Sequence, residues 1–142
     1  MDNCCYNRPY DDQTQIKIAL EAQAKLHIQS QIKEGNLSLA TSFILEFENQ
    51  KNPYYDRQCA IADFFKYSME YIDISKRPLV ELRAQKIITT GVKFMDACHI
   101  ACAELAKCDY FLTTDKRLLK YQDTTMMLVN PIDFLFENER SL

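Results

Sequence analysis

Glycine is nearly absent: Gly35 and Gly91 are the only two in 142 residues. Phosphate cradles built on close backbone approach need several glycines, so Walker-type loops and dinucleotide fingerprints are excluded. Tryptophan is missing and prolines number four, which disfavours a sandwich or barrel of many short strands joined by Gly- and Pro-rich turns. No apolar run approaches the roughly 18 to 20 residues of a membrane span, and neither a CxxC pair nor a histidine pair at zinc-finger spacing occurs. Neither sign of charge dominates, with 17 Lys plus Arg against 20 Asp plus Glu and a formal net charge of -3. Any contact with a polyanion must therefore be local. The start, MDNCCYNRPYDD, is polar and acidic, without the charged and apolar regions of a secretory signal. The cysteines (Cys4, Cys5, Cys59, Cys98, Cys102, Cys108) are accordingly expected as reduced thiols of a cytoplasmic protein.

What is present is core material. Hydrophobic residues make up 47% of the chain, enough for one domain over 1–142 to bury a core without disulfide or metal staples. Ile16, Leu20, Ala24, Ile28 and Ile32 recur every fourth residue and predict a helix over 15–34, stopped at Gly35-Asn36. LSLATS reads as a short strand. Ser42 is placed to cap a helix through FILEFENQ, and Asp56 to cap another running through Phe65 to Met69. Val80, Ala84, Ile87 and Ile88 stripe a helix over 77–90 that Gly91 closes. MDACHIACAELAKC is apolar or small nearly all round, as a helix packed on both sides must be. DYFLTT and MMLVN read as strands, DKRLLKY as a brief helix, and PIDFLFE as a helix opened by Pro131. Strands alternating with helices imply an α/β fold with a parallel sheet covered on both faces, whose sites form beyond the carboxyl ends of the strands.

Those ends are acidic. Asp2 lies near the start, Glu46 and Glu48 follow LSLATS, Asp96 opens a helix and Asp115 follows YFLTT. Gathered carboxylates repel one another, and a fold tolerates them when a hard cation such as Mg2+ or Mn2+ neutralises them. The chemistry that follows is phosphodiester hydrolysis. The competing reading is structural: Asp96 and Asp115 stand where N-caps stand, and Glu46 and Glu48, two apart, face different ways on a helix.

The same residues resemble the PIN-domain family of ribonucleases, which includes the toxin nucleases of prokaryotic toxin-antitoxin pairs. Asp2 and Asn3 match its first motif, an Asp followed by Asn at the end of the first strand. Ser42 with Glu48 matches the second, with Glu46 as a rival. Asp96, Ala97, His99, Ile100, Ala101 and Ala103 match DAxHIAxA, and Thr113, Thr114 and Asp115 match the TTD of the fourth. The resemblance implies a three-layer α/β/α sandwich with a central, mostly parallel sheet. It implies a Mg2+ or Mn2+ site of Asp2, Glu48, Asp96 and Asp115 that cuts single-stranded RNA, with Asn3, Ser42 and Thr113 in support. It carries with it a cognate antitoxin for a toxin, a homodimer and no membrane. The alternative is a non-catalytic RNA-binding or scaffold domain on the same fold. Only Met1 precedes Asp2, so a first strand ending there is a stub or is continued by residues ahead of Met1.

Arg8, Lys116, Arg117 and Lys120 flank the acids as candidate RNA phosphate contacts, and Tyr6 and Tyr10 as candidate base-stacking residues. Each has an ordinary alternative, solvated charge for the cations and packed core for the tyrosines. His99 reads as a core histidine with one partner rather than a ligand. Cys98 and Cys102 share a helix face and raise a zinc or redox reading, set against buried, unligated thiols packed with Ile100, Ala101 and Leu105.

Overall fold

The computed structural model describes residues 1–140, with side chains through Glu137. The helices are α1 (Asn3–Asn7), α2 (Ile16–Lys33), α3 (Phe43–Gln50), α4 (Tyr55–Phe64), α5 (Arg77–Ile88), α6 (Phe94–Leu105) and α7 (Pro131–Arg140). The strands are β1 (Leu39–Ser42), β2 (Ser68–Ile72), β3 (Tyr110–Leu112) and β4 (Met127–Val129). β1 pairs with β2 and β3 with β4, both parallel. Phe111 faces α5 and α6, in a core with Val80, Ala84, Ile100 and Ala101. Its neighbour Leu112 faces the opposite way, towards Ile28, Ile32, Ile61 and Phe134 of α2, α4 and α7, as alternate strand residues must. Helices thus cover both faces of the strands, in an α/β fold with parallel pairing.

The central layer differs from the single sheet expected. Among the described residues the strands form two separate two-stranded sheets, β1-β2 and β3-β4. Asp2 does not end a strand; it caps α1, accepting from the Cys5 backbone N–H at 3.1 Å. Its own N–H donates to the Leu112 carbonyl at 3.1 Å, a single rung beside β3.

Local signals place most elements. Ser42 accepts from the Leu45 N–H at 3.2 Å and starts α3. Gly35 and Gly91 take φ of +84° and +99°, the left-handed turn that closes α2 and follows α5. Two expectations fail for identifiable reasons. On α2, Ala24, Ile28 and Ile32 are buried but Ile16 and Leu20 are exposed. A four-residue step turns ~400° on a helix of 3.6 residues per turn, so the stripe drifts ~40° per step off the buried face. Glu21, Ala22 and Lys25 are buried in its place. The helix expected to run through Met69 stops at Phe64, and Ser68–Ile72 becomes β2. Met69 and Tyr71 are exposed there, so β2 has almost no burial pattern of its own and is held by its ladder to β1.

Near the end of α6, Glu104 meets Asp123 in the loop before β4. Burial pushes the Glu104 carboxyl up to about 7, the hydrogen bond and charge of Asp123 add to the rise, and Arg83 opposes it. An acid raised in the folded state binds a proton that the unfolded chain has released. Stability is therefore lost as pH rises from Glu104's ordinary 4.5 through about 7. Glu104→Gln keeps a donor for Asp123 and removes the charge. Discounted for solvent screening, it is expected to stabilise by on the order of 1 kcal/mol at high pH. Urea denaturation of both proteins at about pH 4 and about pH 8 checks this: the curves should coincide at the lower pH and separate at the higher.

Candidate active site

Asp2 and Asp115 are brought together at the end of β3. Asp2 is 3% exposed, and its two oxygens are both engaged. Oδ1 accepts from the Cys5 N–H, and Oδ2 accepts from the Thr113 hydroxyl at 2.5 Å. Thr113 Oγ1 also accepts from the Asp115 N–H at 3.1 Å, so one buried threonine fixes both carboxylate residues at the end of β3. Asp115 Oδ1 in turn accepts from the Arg117 N–H at 2.8 Å, a local turn ahead of the 3-10 turn whose N-cap is Arg117. Asp115 is therefore not itself the N-cap of that turn. Nor is Asp96 a cap, because α6 begins one residue after Lys93, and Asp96 sits inside the first turn.

Asp96 is half-buried and, of the four carboxylates, the one with neither a hydrogen bond nor an ion pair among the described residues. Burial pushes its carboxyl above the usual range. Asp2 and Asp115, and behind them Glu48, push the same way, against His99. Asp2 is also raised, by burial that outweighs its hydrogen bonds from Thr113 and Cys5. Asp96 therefore lies within electrostatic reach of the other three acids. Cys4 joins them: burial of its thiol, then the charges of Asp2, Asp115 and Asp96, push it up to about 12, so it stays protonated there.

Glu48 and Glu46 diverge, as residues two apart on α3 should. Glu48 Oε1 lies 3.0 Å from His99 Nε2, off the line of a hydrogen bond. Glu46 is exposed and turns to the Tyr71 hydroxyl instead. His99 is 5% exposed, a core histidine whose polar edge meets Glu48.

Hard carboxylate oxygens are the donors a Mg2+ or Mn2+ ion takes. The donor chemistry fits, but the spacing does not close: among the described residues no three of His, Cys, Asp and Glu stand close enough to hold one ion. Asp2, Asp115 and Glu48 each have an internal partner. The cysteines are free thiols, with Cys98 and Cys102 buried and Leu105 only partly so.

A crevice beside the acids is lined by Asp96, Asp115, Lys93, Arg117, Lys120 and Tyr121. Lys93 was not legible as a site residue; its position three ahead of Asp96 is the one signal that could have found it. Lys116 is exposed nearby. Arg8 is committed elsewhere: its guanidinium donates to Asp11 at 2.9 Å and Thr114 at 2.7 Å and lies 3.5 Å from Glu21. Asn3 accepts from Asn7 on α1. Tyr6 is fully buried against Phe64 and Phe65, so it stacks on core rings and not on a base. Tyr10 lies exposed at the surface under Arg57.

A family model described as the PIN domain matches residues 11–123. The chain belongs to the PIN-domain family, a nuclease-type fold. The match spans Ser42, Glu48, Asp96, His99 and Asp115; Asp2 lies ahead of it. Comparison with curated proteins gave no match, and comparison with solved structures gave none. No helix among the described residues is long and apolar enough to cross a membrane.

Proposed function

We propose that the chain is a divalent-metal-dependent endoribonuclease that hydrolyses phosphodiester bonds in single-stranded RNA. The observation that carries this is Asp96: an unpartnered, half-buried carboxylate at the start of α6, raised by burial and by three acidic neighbours. A fold that needed only a helix start would not place a charge against three others, so the arrangement has a functional rationale. Mg2+ or Mn2+, when bound, supplies charge neutralisation and an activated water. Asp96, Asp115, Asp2 and Glu48 are the residues that would hold it.

The chain's own residues do the positioning. Thr113 orients Asp2 and anchors the backbone of Asp115. His99 stands against Glu48. Lys93, Arg117 and Lys120 give the RNA backbone a cationic wall beside the acids, with Lys116 at its rim. In its toxin form the reading adds a cognate antitoxin and a homodimer as partners.

A second reading, RNA binding without turnover, draws on the internal partners of Asp2, Asp115 and Glu48, each of which must be exchanged before it can ligate. A quenched-fluorophore single-stranded RNA incubated with Mn2+, with Mg2+ or with EDTA separates the two. Turnover with either metal and none with EDTA is the expected result. RNA that binds yet stays uncut at every metal concentration would establish the second reading.

A further inference from the structure

Arg57 of α4 lies over two tyrosine rings, its Cζ 3.9 Å from the centre of Tyr54 and 4.9 Å from that of Tyr10. Those rings are its partners: among the described residues its side chain makes no hydrogen bond and no ion pair, although Asp56 adjoins it in sequence. The rings are not core, with Tyr54 56% exposed and Tyr10 39%. Tyr54, covered by a guanidinium on one face and more than half open, offers its other face to solvent. A second such pair stands on α3, where Lys51 Nζ lies 4.2 Å over the exposed ring of Phe47, the residue before Glu48. Exposed aromatics scattered singly are ordinary, but here three sit under two cations.

Short links tie this stack to the acids. The Asn52 amide donates to the Asn7 side chain at 3.1 Å, and its oxygen accepts from the Tyr54 N–H at 3.1 Å. Asn7 closes α1, whose other end is capped by Asp2, and a helix of that size is only ~7.5 Å long. From the second ring, Tyr10 is two residues from Arg8, which donates to Thr114, the neighbour of Asp115, at 2.7 Å. Asp11 and Asp12, which follow Tyr10, are held by Arg8 and by Thr14. The stack therefore stands within a few nucleotides of Asp2 and Asp115. It is a separate surface from the crevice of Lys93, Arg117 and Lys120, which it does not line.

An apolar protein face is a poor match for rings that carry cations and hydroxyls. A nucleotide matches both groups, with a flat π face for the open side of Tyr54 and a phosphate for Arg57, whose planar group stacks on rings and binds phosphate alike. Bases expose such faces when they are unpaired, which makes the ligand single-stranded. We propose that Tyr54, Arg57 and Tyr10 form a stacking subsite for one nucleotide of a single-stranded RNA, its base on Tyr54 and its phosphate on Arg57. The subsite rests on the proposed RNA substrate but not on cleavage.

The test is fluorescence anisotropy of a labelled single-stranded RNA of about ten nucleotides in EDTA, where metal-dependent cleavage is stopped. Tyr54→Ala is expected to raise Kd at least about fivefold, with melting temperature and salt dependence unchanged, and Tyr54→Phe to bind like wild type. Arg57→Gln should weaken binding and flatten its salt dependence by about one counterion. A base-free ribose-phosphate oligomer of the same length should bind wild type and Tyr54→Ala alike, and wild type more weakly than RNA does. Three results overturn the proposal: a Kd unmoved by Tyr54→Ala, which would leave the patch to a protein partner; a Tyr54→Phe as weak as Tyr54→Ala; or a wild type that holds the base-free oligomer as tightly as RNA. Metal-dependent cleavage persisting beside any of these keeps the nuclease reading and removes the subsite. The expected Kd pattern without turnover in Mn2+ or Mg2+ keeps the subsite and leaves RNA binding as the function, whereas a wild type that binds no RNA removes both.

Discussion

Asp96→Asn is expected to abolish catalysis while leaving the fold intact. Asn removes one charge and almost no volume. The cap of α6 is not at stake, because Asp96 lies three residues past Lys93 and makes no hydrogen bond. An acid in a first helical turn gains ~0.3–1 kcal/mol from the helix dipole. Its raised carboxyl shows that burial and the charges of Asp2, Asp115 and Glu48 outweigh this gain. A group whose folded pKa is raised costs stability above its ordinary range, so the metal-free variant should melt at or above the wild-type temperature at neutral pH. The wild type should be stabilised by Mn2+, which binds the folded state, and the variant should lose that response. Cleavage of single-stranded RNA should fall by at least about a hundredfold, roughly 2.7 kcal/mol of transition-state stabilisation. Melting curves with and without Mn2+, run beside a cleavage assay, check all three. A variant that cuts RNA and answers to Mn2+ like wild type would remove Asp96 from the site.

Asp96 and Asp115 were legible because each is marked locally, one by a small, apolar helix behind it and the other by the short strand before it. Ser42 was legible as a cap for the same reason. What failed depended on partners distant in sequence. β2 has an almost fully exposed pattern, and only the edge of β1 makes it a strand. Asp2 was placed at a strand end, yet its side chain caps α1, and its backbone makes a single rung on Leu112. Glu48 and Glu46 were separable only once His99 and Tyr71 were in place to take one each. Tyr6 read as a rim aromatic because its neighbours are polar, but Phe64 and Phe65, distant in sequence, enclose it.

Arg8 carries the other large expected effect, and it sorts two roles that the sequence left open. Glu21 on α2 is 2% exposed, and its carboxylate is held by the Asn130 amide at the start of α7 and by Arg8 at 3.5 Å. Arg8 also donates to Thr114, the residue before Asp115, at 2.7 Å. This arginine therefore ties α2 to the end of β3, where the acids sit. Removing one partner of a buried ion pair leaves the other charge uncompensated, at a cost of about 3–5 kcal/mol; the long, unaligned Arg8–Glu21 contact places Arg8→Ala at about 3. Arg8→Ala/Glu21→Gln should recover most of that, because Gln is neutral and keeps a carbonyl for Asn130. Turnover should fall through kcat, as Thr114 and Asp115 lose their brace, with KM nearly unchanged. Were Arg8 a phosphate contact, the urea midpoint would stay where it is. KM would rise instead, and its salt dependence would flatten by about one counterion. Denaturation midpoints for the single and double variants, with kcat and KM at two salt concentrations, distinguish a brace from a phosphate contact.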